Sequence, residues 1–108
     1  MENQSGDMDI QLACRVGDLE LLKSTLQKYP ELLNWTDRQL GWSPLYRTVI
    51  CGHFEIAKYL LEEGADPNHV NKLGESALHQ AADNNKVNVA KLLLKYGADP
   101  NLQQNGKK

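Results

Sequence analysis

The sequence predicts an all-α stack of paired short helices with projecting hairpins, and three observations predict it. Laying Gly41–Val70 over Gly74–Gln103, an offset of 33 residues, gives 12 identities in 30 pairs, where ordinary composition gives about two by chance. Both copies carry the same punctuation: a Ser two residues after a Gly, then a closing Gly-Ala-Asp-Pro-Asn at 64–68 and at 97–101. Aromatic residues make up only 6% of the 108 residues. A core must therefore come mostly from Leu, Ile, Val and Ala, which suits closely packed short helices.

The elements follow in order. A degenerate first unit, Ile10 to Leu22, fits the Leu45 to Ala57 stretch at an offset of 35. Its second helix runs to about Lys28, and Tyr29-Pro30-Glu31-Leu32-Leu33-Asn34 makes the turn. The hairpin after Asn34 is one residue longer than the one after Asn68, since Gly41 follows by seven positions and Gly74 by six. In the second unit Ser43 is placed to cap a helix with Pro44 at its first position, where the missing N–H costs nothing. That helix stops at Gly52. A second helix covers about Glu55 to Glu63, with Ile56, Ala57, Leu60 and Leu61 at helical spacing. Gly64 supplies a left-handed turn and Pro67 forces an extended exit. The third unit repeats this plan with Ser76-Ala77 as its cap. Helices this short are stable only when stacked on neighbours. The expected organisation is a flexible tail at 1–7, one domain at 8–103 with units at 8–37, 38–70 and 71–103, and a frayed tail at 104–108.

Gly41-Trp42-Ser43-Pro44-Leu45-Tyr46, Gly52-His53-Phe54-Glu55-Ile56 and Tyr59-Leu60-Leu61-Glu62-Glu63-Gly64-Ala65-Asp66-Pro67-Asn68 resemble an ankyrin repeat. So do Gly74-Glu75-Ser76-Ala77-Leu78-His79 and Leu92-Leu93-Leu94-Lys95-Tyr96-Gly97-Ala98-Asp99-Pro100-Asn101. The resemblance covers about Met8 to Gln103 and implies an ankyrin solenoid of three repeats with projecting β-hairpin fingers. Tyr46 in place of the usual His, Arg47-Thr48-Val49 in place of an apolar-Ala-Ala run, and Asn85 in place of a Gly depart from the pattern and bear on local packing. The chain reads as the N-terminal part of a longer array, with a naturally short protein as the alternative.

Chemistry for catalysis is not legible. His53, His69 and His79 occupy three different repeat positions without metal spacing, and the resemblance makes His79 a structural histidine bonded to neighbouring backbone. Cys14 and Cys51 are too few for a disulfide framework and read as core or near-core thiols. No phosphate-cradling glycine loop occurs. The expectation is a non-enzyme with no cofactor and no metal. Twelve basic against fourteen acidic residues leave a net charge of −2, which argues against a nucleic-acid partner. Residues 86–108 carry five Lys against one Asp, read as a solvated helix back and tail. No apolar run reaches the length of a membrane span and no leader-like segment opens the chain. A cytoplasmic or nuclear protein is expected.

What remains is binding. The resemblance implies that hairpin tips and the first helices line a concave surface open to a partner protein. Carried onto this chain, its candidate contacts are Trp35, Leu40, Trp42, Tyr46, Arg47, Ile50, Leu73, Glu75 and Asp83. Trp, Tyr and Arg are over-represented in binding hot spots, and the third unit contributes mostly polar groups (Lys72, Glu75, Gln80, Asp83), which places the anchor near the first and second units. Two readings of the tryptophans stay open, hairpin-on-hairpin packing and a partner anchor. The expected function is a protein-interaction module, adaptor or scaffold, monomeric rather than oligomeric. The alternative is an assembly segment of a longer solenoid or a self-associating unit. Asn68 and Asn101 also resemble asparagines that an oxygenase hydroxylates in this family.

Overall fold

The computed structural model describes residues 6–83 and 86–102. The six α-helices among them are α1 (Asp7–Val16), α2 (Leu19–Lys28), α3 (Pro44–Cys51), α4 (Phe54–Glu62), α5 (Ala77–Asp83) and α6 (Val87–Lys95). A 3-10 turn, Pro30–Asn34, follows α2. α1 begins at Asp7, within the stretch expected to be a tail. Residues 1–5 and the expected tail at 104–108 lie outside the described residues.

Local chemistry sets the helix ends. The Ser43 hydroxyl accepts from the Tyr46 N–H at 3.0 Å, and Pro44 opens α3 with no N–H to leave unpaired. Asp18 caps α2 through Leu21 N–H at 3.1 Å. The ring Nδ1 of His79 accepts from Ser76 N–H at 3.0 Å, while the Ser76 hydroxyl accepts from His79 N–H at 3.2 Å. Gly52, at φ +81°, closes α3 by donating to Thr48 O at 2.9 Å. A Cβ at that left-handed position would be strained, which is why the repeat stops its helix on glycine.

The helices pair as α1–α2, α3–α4 and α5–α6, and the pairs stack so that α1, α3 and α5 form one row and α2, α4 and α6 the other. The core runs continuously through the stack. Ile10, Leu22, Leu32, Leu60 and Leu93 are wholly buried, with Leu45, Val49 and Ile56 at 1–2% exposure. Burying each of these side chains contributes about 1.5–3 kcal/mol relative to exposure.

The fingers between layers are built from turns. Among the described residues no strand forms, and a single antiparallel bridge, Val70–Ser76, marks the second finger. The first closes through Asp37 N–H to Trp42 O at 3.1 Å. Side chains hold both fingers, so a full β-ladder is not needed.

Candidate concave binding surface

The first finger is organised by one carboxylate. Asp37 Oδ1 accepts from the N–H groups of Gln39 (3.0 Å), Leu40 (2.6 Å) and Gly41 (3.2 Å), and Oδ2 accepts from Trp42 N–H at 3.1 Å. Burial raises the Asp37 carboxyl, but these four backbone donors outweigh it and hold it below its ordinary value of 3.8. Asn71 does the same in the second finger, its Oδ1 accepting from Leu73 N–H at 2.9 Å and Glu75 N–H at 3.0 Å. The fingers are also tied together. Lys72 N–H donates to Leu40 O at 3.0 Å, the His69 ring N–H donates to Gly41 O at 3.0 Å, and the Lys72 ammonium donates to Arg38 O.

On this base stands a stack of side chains. The Arg47 guanidinium lies 4.9 Å from the centre of the Trp42 ring, which in turn lies 5.0 Å from that of Tyr46 at a tilt of 58°. Such cation–π and tilted aromatic contacts are attractive in themselves. Arg47 also reaches Asp37 Oδ2 at 3.7 Å. The Tyr46 hydroxyl donates to Glu75 Oε1 at 3.0 Å, and Asn71 Nδ2 donates to the same oxygen at 3.1 Å. Burial, reinforced by the Glu75 carboxylate, pushes the Tyr46 phenol above its ordinary value of 10.0. One connected set, Asp37–Arg47–Trp42–Tyr46–Glu75–Asn71, therefore spans two repeats.

The expected contact residues divide into three groups. Leu40 and Leu73 stand at the two fingertips, 46% and 55% exposed, and Asp83 is exposed at the end of α5. Trp42 and Arg47 are half-buried, and so is Ile50 in the last turn of α3. Tyr46, in contrast, is only 3% exposed. It supports Trp42 from beneath, and Glu75 is engaged by Tyr46 and Asn71. Trp35 is half-buried and packs against the hydrophobic core. Asn68 bridges layers, its Nδ2 donating to Gly97 O at 3.1 Å while its Oδ1 accepts from Asp99 N–H at 2.7 Å. Asn101 is exposed.

Sequence reasoning missed four contributors. Asp37 and Asn71 were masked by position, since they precede Gly41 and Gly74 by four and three residues. The signal that could have found them is an Asx side chain shortly before a turn glycine. Met8 and Leu12, 70% and 40% exposed, join Arg15 and Arg47 around a cleft of about 340 Å³. They lie on the degenerate first helix, where the repeat register gives little guidance.

All three histidine rings bond to backbone carbonyls. Besides His69, the His53 ring N–H donates to Arg15 O at 2.8 Å and that of His79 to Leu102 O at 3.1 Å. Among the described residues no three His, Cys, Asp or Glu side chains gather as a metal site requires. No described helix is long and apolar enough to cross a membrane.

Helix pairs stacked in two rows with fingers at each junction define a helical repeat protein. Residues 10–104 match the family model for ankyrin repeats in three copies, and the chain belongs to the ankyrin-repeat family. It is 47% identical over 53 residues to BTB/POZ domain-containing protein 3 of Schizosaccharomyces pombe, covering 49% of this chain and 10% of that one. It is 43% identical over 68 residues to the human DNA-binding protein RFXANK, covering 63% and 25%. Its identity to the probable 26S proteasome regulatory subunit p28 of Saccharomyces cerevisiae is 31% over 78 residues, covering 71% and 34%. The chain thus spans between a tenth and about a third of these relatives. Ankyrin repeats generally mediate protein–protein interaction.

Proposed function

We propose that this chain is a protein-binding module, an adaptor or regulatory scaffold, whose anchor is the Trp42–Arg47 stack with the leucine tips Leu40 and Leu73. The observation that carries the reading is the cost of what is displayed. Trp42 and Arg47 stay partly open to water although a carboxylate, a buried tyrosine and two fingers hold them in place. A rigid aromatic–arginine pair loses little entropy when a partner covers it, and such residues dominate binding energies. The site supplies contact area and orientation, with no group placed for bond-making chemistry. A net charge of −2 favours a protein over a nucleic acid as partner. That the human relative is named a DNA-binding protein describes that relative. A monomer in the cytoplasm or nucleus completes the reading.

Hydrogen exchange of the chain bound to a captured partner tests it. Protection is expected at amides of 38–42 and 71–75 and along α1 and α3, with α2, α4 and α6 unchanged. Protection confined to the second helices would overturn the proposal.

A further inference from the structure

The first helices carry a row of side chains ordered by charge. Arg15 of α1, Ile50 of α3 and Asp83 of α5 hold one register position, at offsets of 35 and 33 residues, on helices that lie side by side. Arg15 and Asp83 are exposed and Ile50 is half-buried. Across the stack the row therefore reads cation, apolar, anion. Among the described residues neither end charge meets an opposite one.

The two ends differ in what the scaffold gains from them. Arg15 sits in the last turn of α1, where a cation is favoured. Asp83 ends α5, where the aligned carbonyls disfavour a carboxylate, so α5 itself gains nothing from that charge. The backbone under Arg15 is fixed, because its carbonyl accepts from the His53 ring at 2.8 Å and ties the end of α1 to the second layer. Beside it lies the cleft of about 340 Å³ that Met8, Leu12 and Arg47 also line. Asp9 borders this cleft too, but six residues before Arg15 and so more than one turn away. Arg47 is shared with Asp37. Among the described residues Arg15 is thus the cation of the cleft with no carboxylate beside it.

We infer that this row binds a partner segment in the polyproline II conformation, presenting an acidic, an apolar and a basic side chain at every third position, in either chain direction. The inference rests on the reading of this face as a protein-binding surface. The spacing of the helices fixes the conformation. Packed helices lie about 8–10 Å apart, and a polyproline II chain advances about 9 Å in the three residues of one turn. Residues i, i+3 and i+6 then fall on successive layers and on one face. A β-strand alternates its side chains and would point the middle one of the three away. The charges fix the order. The acid meets Arg15 with Arg47 alongside, the apolar side chain covers Ile50, and the base meets Asp83. A segment of one charge sign would be attracted at one end and repelled at the other.

Selection of random short peptides displayed on phage, against the native chain and against Arg15→Glu and Asp83→Lys, tests this. The native chain should enrich peptides with an apolar residue, an Asp or Glu three positions to one side and a Lys or Arg three to the other. Arg15→Glu should select a base in place of that acid, and Asp83→Lys an acid in place of that base. A synthetic peptide from the native selection should lose about tenfold in affinity on either reversal, because like charges are brought together. Urea midpoints check that each variant folds; Arg15→Gln and Asp83→Asn, which keep the shape, should relax the charge requirement at their own end alone. Enriched peptides without this period, the same peptides on all three chains, or no enrichment at all overturn the inference. Peptides that ignore both reversals but weaken on Trp42→Ala would leave the protein-binding reading standing and remove the charge order. Peptides that ignore all three substitutions would remove both.

Discussion

Replacing Asp37 with alanine removes the acceptor on which the first finger is built. Four N–H groups lose their partner, at 3.0, 2.6, 3.2 and 3.1 Å. Those of Gln39 and Leu40 lie on exposed residues and turn to water at little cost. Those of Gly41, which is buried, and Trp42, which is half-buried, cannot do so without opening the finger. Leaving a buried donor unpaired costs about 1–3 kcal/mol, so the expected loss is about 2–3 kcal/mol, a large share of a domain stability of about 5–15 kcal/mol. Acid should expose the same contribution. Because the folded carboxyl sits below 3.8, its stabilisation is fully present above the unfolded value and is lost as pH falls through the lower folded one. Urea melts of the parent and Asp37→Ala between pH 7 and pH 2.5, followed by tryptophan fluorescence, measure both effects. The gap between the two curves should narrow toward the acid end. A mutant that melts with the parent at pH 7, or a gap as wide in acid as at pH 7, would refute the reasoning.

Three further outcomes follow from the packing. Leu60 is wholly buried in the middle layer, so Leu60→Ala should cost about 2–5 kcal/mol in a urea melt; an unshifted midpoint contradicts this. The Thr48 hydroxyl is buried at the junction of the first two layers without a hydrogen bond of good geometry, its neighbour being the weakly bonding Cys14 thiol. Thr48→Val should therefore stabilise by about 1 kcal/mol, and a destabilised variant would show that the thiol contact matters. Burial pushes Cys14 from 9.0 to about 11, leaving roughly one thiolate in a thousand at pH 8. Peptide mapping after brief iodoacetamide treatment should find Cys51, which is exposed, alkylated and Cys14 intact until urea unfolds the chain.

The fold was legible because its determinants are local. Ser43-Pro44, Gly52 and Gly64 announce helix starts and stops through backbone conformation alone, and the repeat multiplies each signal. The site was legible in composition but not in geometry. Tyr46 looks like an exposed hot-spot residue in a list of variable positions, yet its hydroxyl finds Glu75 29 positions later, and that long-range bond draws the ring inside. Asp37 and Asn71 escaped because the two fingers differ by one residue, which breaks the repeat register at the positions that organise them. His79 shows the opposite case: its repeat position announced backbone bonding, and its ring bonds to Ser76 and to Leu102.

The central claim is that Trp42 is displayed for a partner rather than needed by the scaffold. Affinity for a captured partner and the urea midpoint, both measured on Trp42→Ala, test it most directly. Losing a hot-spot aromatic costs about 2 kcal/mol or more of binding, so affinity should fall at least tenfold while the midpoint moves little, because its neighbours Arg47 and Tyr46 stay held by Asp37 and Glu75 without it. If binding and stability fall in parallel, or if affinity is unchanged, Trp42 is scaffold and the account of the concave surface is wrong.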